Sequence, residues 1–158
     1  MSTVPPLALM TAEADDLDAL LELERVCFSH PWTAGHFKDA LRDERQRVLV
    51  LRTPRPHPDP TRGVLAYCVV QWVADELHVH NLAVHPDWRR RGLARRLLPL
   101  ALHLGQAHGA RRTFLEVRPS NAAALALYES HGFRTVAVRP RYYEHPIEDG
   151  FVLEKALW

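Results

Sequence analysis

Between His80 and Phe133 the chain passes twice from strand through turn to helix, and this repeated order is what most narrows the folds open to it. The first passage turns through Trp88-Arg89-Arg90-Arg91-Gly92-Leu93-Ala94-Arg95-Arg96 into a helix that runs to about Leu104. The second leaves a strand at Thr113 to Val117 and enters an alanine-rich helix at Ser120-Asn121, closing at Gly132-Phe133. A strand, a crossover helix and a second strand imply a parallel pair joined in the right-handed sense, inside a mixed α/β sheet.

The first turn has an electrostatic oddity. A helix N-terminus carries about half a positive charge and four unpaired N–H groups, so each cation gathered there is disfavoured by roughly 0.3–1 kcal/mol. An anion is therefore expected. Gly92 has no side chain to hold a ligand off, and the N–H groups of Arg91 to Ala94 can converge on phosphate oxygens, for which a pyrophosphate is the natural guest. Two other readings stay open, a merely solvated arginine-rich helix start and a nucleic-acid patch. A formal net charge of only +1 speaks against the second, because nucleic-acid binding normally makes a whole face basic. Arginine is also the habitual cation here, Lys38 and Lys155 being the only lysines, which weakens any argument from arginine clustering alone.

At 158 residues, with 47% hydrophobic and 25% charged residues, the chain is expected to form a single domain over 1–158. Cys27 and Cys68 fall in a predicted helix end and a predicted strand, so no disulfide framework is expected and a reducing compartment is. The first residues lack a basic segment and soon turn acidic at Glu13, Asp15 and Asp16, and no apolar run reaches membrane-spanning length. A cytoplasmic protein without membrane contact is the expectation.

Leucines at 17, 20, 21 and 23 set a helix from about Ala14 to Cys27, and a second is predicted after Thr33. Between them Ser29-His30-Pro31-Trp32 forms a stiff turn whose indole either lines a binding groove or caps the core. Arg47 to Leu51 and Val64 to Val73 read as a hairpin around a loop, Thr53 to Gly63, that carries four prolines. Glu76 to Val84 is the next strand, and Pro99 should kink the helix that follows the arginine turn, with Gly109 as its cap. Two further strands, about Arg134 to Tyr142 and Phe151 to Leu157, complete the sheet.

Alternation along Thr113–Val117 puts Phe114 and Glu116 on one face and Leu115 and Val117 on the other. A carboxylate in mid-strand is either ion-paired, with Arg118 two residues on as the nearest partner, or in chemical use. In the helix beyond it, Ser120 is a good N-cap, Gly132 a good C′ residue, and Asn121 and Tyr128 fall two turns apart on one stripe.

These residues carry a resemblance. Asn81-Leu82-Ala83-Val84, the Arg89-x-x-Gly92-x-Ala94 turn, Leu115-Glu116-Val117-Arg118, and the run from Ser120 to Phe133 resemble the GCN5-related N-acetyltransferases (GNAT), and within them the RimI type that acetylates a ribosomal-protein alanine. The resemblance implies a mostly antiparallel sheet with a central parallel strand–helix–strand unit, flanked by helices. It implies acetyl-CoA as cosubstrate, its pyrophosphate on the N–H groups of Arg90, Arg91, Gly92, Leu93, Ala94 and Arg95, its pantetheine arm along Leu82, Ala83 and Val84, and Asn121 on its far side. By the same likeness Glu116 is the base and Tyr128 the acid of a direct transfer that needs no metal, although His78 and His80 share a strand face. Trp32, Tyr142 and Tyr143 are the candidate acceptor contacts. The implied partner is the peptide N-terminus of the eighteenth small-subunit ribosomal protein, beginning with alanine. A small-molecule amine, a lysine side chain and a non-catalytic acetyl-CoA-binding module are the alternatives.

Overall fold

In the computed structural model, which describes residues 6–54 and 63–157, seven strands form one sheet in the order β1-β2-β3-β4-β5-β7-β6. The elements are β1 (Ala8–Thr11), α1 (Leu17–Cys27), α2 (Ala34–Arg42), β2 (Gln46–Arg52), β3 (Val64–Val73), β4 (Glu76–Val84), α3 (Leu93–Ala107), β5 (Arg112–Val117), α4 (Ala122–Ser130), β6 (Arg134–Tyr143) and β7 (Glu148–Ala156), with short 3-10 turns at Ala14–Asp16 and Pro86–Trp88. One pair is parallel, β4 on β5, registered Glu76 to Arg112 through Val79 to Leu115, as the crossover order requires. The sheet is otherwise antiparallel, so the mixed α/β class read from the sequence is the one found. Most of the proline-rich loop lies outside the described residues; its ends meet where the Thr53 N–H donates to the Gly63 carbonyl at 2.9 Å.

The chain divides into two compact units. One holds the described residues up to Val70 together with Asn81–Ala101; the other holds Gln71–His80 and the chain from Leu102 on. In the first, the apolar stripe of α1 (Leu20, Leu23) and Phe37 and Ala40 of α2 bury against Val48, Val50, Tyr67, Val69 and Ala83 of the strands. The rings of Phe37 and Tyr67 meet edge to face at 5.7 Å. Thr33 caps α2 as its sequence suggests, accepting from the His36 N–H. A buried ion pair joins Asp16 at the mouth of α1 to Arg52 on β2. The sequence reading did not include β1, a four-residue edge strand paired with β2.

In the second unit β7 lies between β5 and β6, registered antiparallel to both. Burial alternates on β5 as expected: Thr113, Leu115 and Val117 are buried, while Phe114 and Glu116 are half-buried on the other face. α4 corrects one reading. Its N-cap is Asn121, whose side-chain oxygen accepts from the Ala124 N–H at 3.1 Å, and not Ser120. Ser120 is drawn elsewhere, since its N–H and its hydroxyl both donate to the Glu148 carboxylate at 2.8 Å. The helix end matches expectation. Gly132 sits at C′ with φ +90°, its N–H on the Glu129 carbonyl, while the Phe133 N–H returns to the Tyr128 carbonyl at 3.1 Å, the paired bonds of a Schellman motif. α3 is helical on both sides of Pro99 and ends the same way, with Gly109 at φ +87° and the Ala110 N–H on the Gly105 carbonyl.

Candidate active site

The arginine turn takes an unusual backbone course. Arg90 has φ +62° and Gly92 φ +79°, so left-handed residues stand on either side of Arg91 just before α3, a course that can turn successive N–H groups into a common concavity. The left-handed conformation costs a residue with a Cβ about 1–2 kcal/mol, which Gly92 escapes and Arg90 does not. The Gly92 carbonyl accepts from the Arg96 N–H at 3.1 Å and opens the helix ladder. The guanidinium of Arg91 lies 4.7 Å above the Trp88 ring, and Arg89 Nε donates to the Val84 carbonyl at 3.1 Å. Two of the arginines are thereby committed to holding the turn.

Just upstream, Ala83 is buried in the core while Leu82 and Val84 are half-buried on the opposite face of β4. Cys27 Sγ also donates to the Val84 carbonyl, at 3.4 Å, so that carbonyl is occupied twice from within the protein. Burial pushes the Cys27 thiol above its usual range, with Arg89 pulling the other way; Cys68, fully buried, is pushed up to about 12. Neither thiol is poised as a nucleophile.

In the second unit Glu116 does not pair with Arg118. Its carboxylate lies 3.3 Å from Arg139 Nη2, one strand beyond β7, and accepts a hydrogen bond from the Tyr142 phenol. That bond, more than burial, raises the Tyr142 pKa; burial first and then Glu116 push Tyr143 up to about 12. Arg118 is spent on the β6–β7 turn, donating to the Glu144 and Pro146 carbonyls at 2.8 and 2.9 Å, pairing with Glu148 at 3.4 Å, and lying 4.5 Å above the Tyr143 ring. Glu116, Tyr142 and Tyr143 are thus brought together. Tyr128 is buried, its ring edge-on to Phe133 at 5.7 Å. Asn121, having given its oxygen to the helix, keeps its amide nitrogen for donation.

The sequence reading gave no role to two further residues. His80, noted there only for sharing a strand face with His78, follows Val79, the last residue of β4 in the parallel register, as Glu116 follows its partner Leu115. Its Nε2 contacts Gln71 Oε1 at 2.7 Å, and its pKa is lowered by the desolvating surroundings and by His78, with Glu116 opposing. The alternation of histidines on β4 was the available signal. The other is Glu24 on α1, which accepts the Trp32 N–H at 3.2 Å and the Asn81 amide. Trp32 itself is half-buried, its ring 5.2 Å from Phe37 and 5.5 Å from His36, so the indole packs on the core with part of its surface and leaves the rest exposed.

Residues 17–133 match the model of the acetyltransferase (GNAT) family, and the chain belongs to that family. Its relatives narrow the class. The ribosomal protein bS18-alanine N-acetyltransferase of Escherichia coli (strain K12) is 34% identical over 142 residues, 90% of this chain and 89% of that one. That of Salmonella typhimurium is 37% identical over 128 residues, 81% of each chain. The crystal structure of the ribosomal-protein-S18-alanine N-acetyltransferase from Escherichia coli superposes with a TM-score of 0.85 at 32% identity, covering 96% of this chain and 94% of its own. At 16% identity, Arabidopsis thaliana NAA60 in complex with acetyl-CoA shares the fold, with a TM-score of 0.86 over 96% of this chain and 99% of that one.

Proposed function

We propose that this acetyltransferase transfers the acetyl group of acetyl-CoA to the α-amino group of a protein N-terminus, that of ribosomal protein bS18 beginning with alanine. The observation that carries this reading is the 34% identity to the Escherichia coli bS18-alanine N-acetyltransferase, spread over 90% of the chain. The chemistry of the residues supports it. The left-handed residues Arg90 and Gly92 ahead of the N-terminus of α3 suit the pyrophosphate, and the backbone of Leu82–Val84 suits the pantetheine amides, chiefly through N–H donors and the carbonyls upstream of Val84.

An α-amino group with a pKa near 8 is mostly protonated at neutral pH and must lose a proton before it can attack. Glu116 takes that proton, directly or through a water. The neutral amine then forms the new C–N bond at the thioester carbonyl, while N–H donors near Ala83 stabilise the oxyanion. As the C–S bond breaks, Tyr128 donates its phenolic proton to the departing thiolate. Asn121 steadies the cofactor by amide donation; Tyr142 and Tyr143, with Trp32, contact the acceptor.

A panel of peptides beginning with Ala, Ser and Met, together with a polyamine, tests the reading by mass spectrometry with acetyl-CoA present. Acetylation of the Ala-starting bS18 peptide at its α-amine is the expected result. Preferential acetylation of the polyamine or of a lysine side chain would move the protein to another acceptor class, and binding of acetyl-CoA without transfer to any amine would make it a binding module.

A further inference from the structure

Glu24 is a carboxylate where the helix pattern calls for a hydrocarbon. It lies four residues after Leu20 on the buried face of α1, and only 1% of it is exposed. Its oxygens meet N–H donors from two other segments of the same unit. Oε1 accepts the Trp32 backbone N–H at 3.2 Å and Asn81 Nδ2 at 3.0 Å, and Oε2 accepts Asn81 Nδ2 at 2.9 Å. Asn81 Nδ2 is also 3.5 Å from the Tyr67 hydroxyl on β3. The titratable groups that bear on it are His36 of α2 and Cys27 of its own helix.

A buried carboxylate held by neutral donors is a poor source of stability, since an apolar residue of similar volume usually serves a core as well or better. What it supplies is position. Asn81 stands on β4, whose backbone is fixed by the sheet and which continues directly into Leu82–Val84. The Ser29–Thr33 segment lies outside that ladder, and at Trp32 it is held by the N–H on Glu24 and by the ring on Phe37 and His36. Loosening the carboxylate therefore releases the backbone at Trp32 and leaves the strand.

We infer that Glu24 is a positioning residue for acceptor binding, its carboxylate pinning the Trp32 loop to Asn81 so that the acceptor's first residues meet a fixed surface. The inference rests on the N-terminal acetylation proposed above. In Glu24→Gln one acceptor oxygen becomes an NH2 group facing N–H donors, so at least one charge-assisted bond is lost. The KM for an Ala-starting bS18 peptide then rises about ten-fold, with kcat and the KM for acetyl-CoA within about two-fold of wild type. Adding Asn81→Asp restores the pairing with polarity reversed, because the introduced side-chain amide donates to the new carboxylate and keeps an oxygen for the Trp32 N–H; the acceptor KM returns to within about three-fold of wild type. Hydrogen exchange supplies a readout independent of turnover: the Trp32 amide exchanges faster in Glu24→Gln, while β3 and β4 keep their protection. Should Glu24→Gln not fold, Asn81→Ser removes the strand anchor and is expected to give the same split of KM values. An unchanged acceptor KM, an equal rise in the acetyl-CoA KM, no recovery in the double variant, or an unaltered Trp32 amide each overturns the inference. If wild type acetylates no peptide, it is the acceptor assignment that falls, and the Trp32 amide still decides whether Glu24 pins the loop.

Discussion

Phe133 closes on Tyr128 twice: its N–H bonds to the Tyr128 carbonyl at 3.1 Å, and the two rings meet edge to face at 5.7 Å. The backbone bond and the ring contact both belong to the Schellman motif that ends α4, so the candidate acid is held by the helix terminus itself. Tyr128→Phe keeps the ring and removes only the hydroxyl. Stability should change by no more than about 1–2 kcal/mol, while kcat falls about 10²-fold as thiolate departure loses its proton donor. An unchanged kcat across pH, with urea denaturation confirming an intact fold, would assign the acid elsewhere.

The same motif makes Gly132 a stability position. Its φ of +90° is costly for any residue with a Cβ, and a Cβ built there lies 2.8 Å from Lys155 Nζ, the movable tip of a long side chain. The clash can relax and the backbone strain cannot. Gly132→Ala should therefore cost about 1–2 kcal/mol in urea unfolding, with a fall in kcat to the extent that Tyr128 shifts with the loosened helix end.

Glu116→Gln keeps the shape of the side chain and removes its capacity to take a proton. Turnover of an Ala-starting peptide should drop by about 10²-fold or more, with acetyl-CoA affinity by calorimetry unchanged. Arg139→Ala is the companion measurement. The pair it breaks is 56% exposed on the arginine side, so its loss should cost less than about 1 kcal/mol. A large stability loss in either variant would mean that the carboxylate is there for the fold.

What could be read from the sequence depended on how local each determinant is. β3 at Val64–Val73 was legible to the residue from its β-branched and aromatic run, β4 at Glu76–Val84 was legible ahead of the His85-Pro86-Asp87 turn, and both helix ends at Gly109 and Gly132 were legible because C′ glycine is a local signal. The cap of α4 was misread by one residue. Ser120 and Asn121 are both capping residues, and what decides between them is Glu148, 28 positions away. Of the two readings open for Glu116, the ion pair named the wrong partner for a similar reason: Arg118 is near in sequence, whereas Arg139 becomes near only once β7 lies between β5 and β6. Glu24 left a trace that was not used, a charge on the buried stripe of an otherwise regular amphipathic helix. The alternation that paired Phe114 with Glu116 on one face held, because strand periodicity owes nothing to distant contacts.

Glu24 also sets a pH dependence whose sign can be worked out. Burial raises its pKa above the ordinary 4.5, and the bonds from the Trp32 N–H and the Asn81 amide only partly offset that. The folded protein thus binds the Glu24 proton more tightly than the unfolded chain does. Between pH 4.5 and the raised folded value, the native state carries the proton more often than the unfolded state, so stability falls as pH rises through that window. The contribution is fully present below the unfolded value and is gone above the folded one. Groups that do not bear on Glu24, including His80 with its lowered pKa, act alike in wild type and Glu24→Gln and cancel in the difference, which leaves Glu24 together with its neighbours His36 and Cys27. Urea denaturation of the two proteins from neutral pH downward should accordingly show wild type gaining on the variant as the solution is acidified. A difference that is flat, or that grows in the variant's favour, would mean that Glu24 enters the fold without a net desolvation cost and that its hydrogen bonds outweigh its burial.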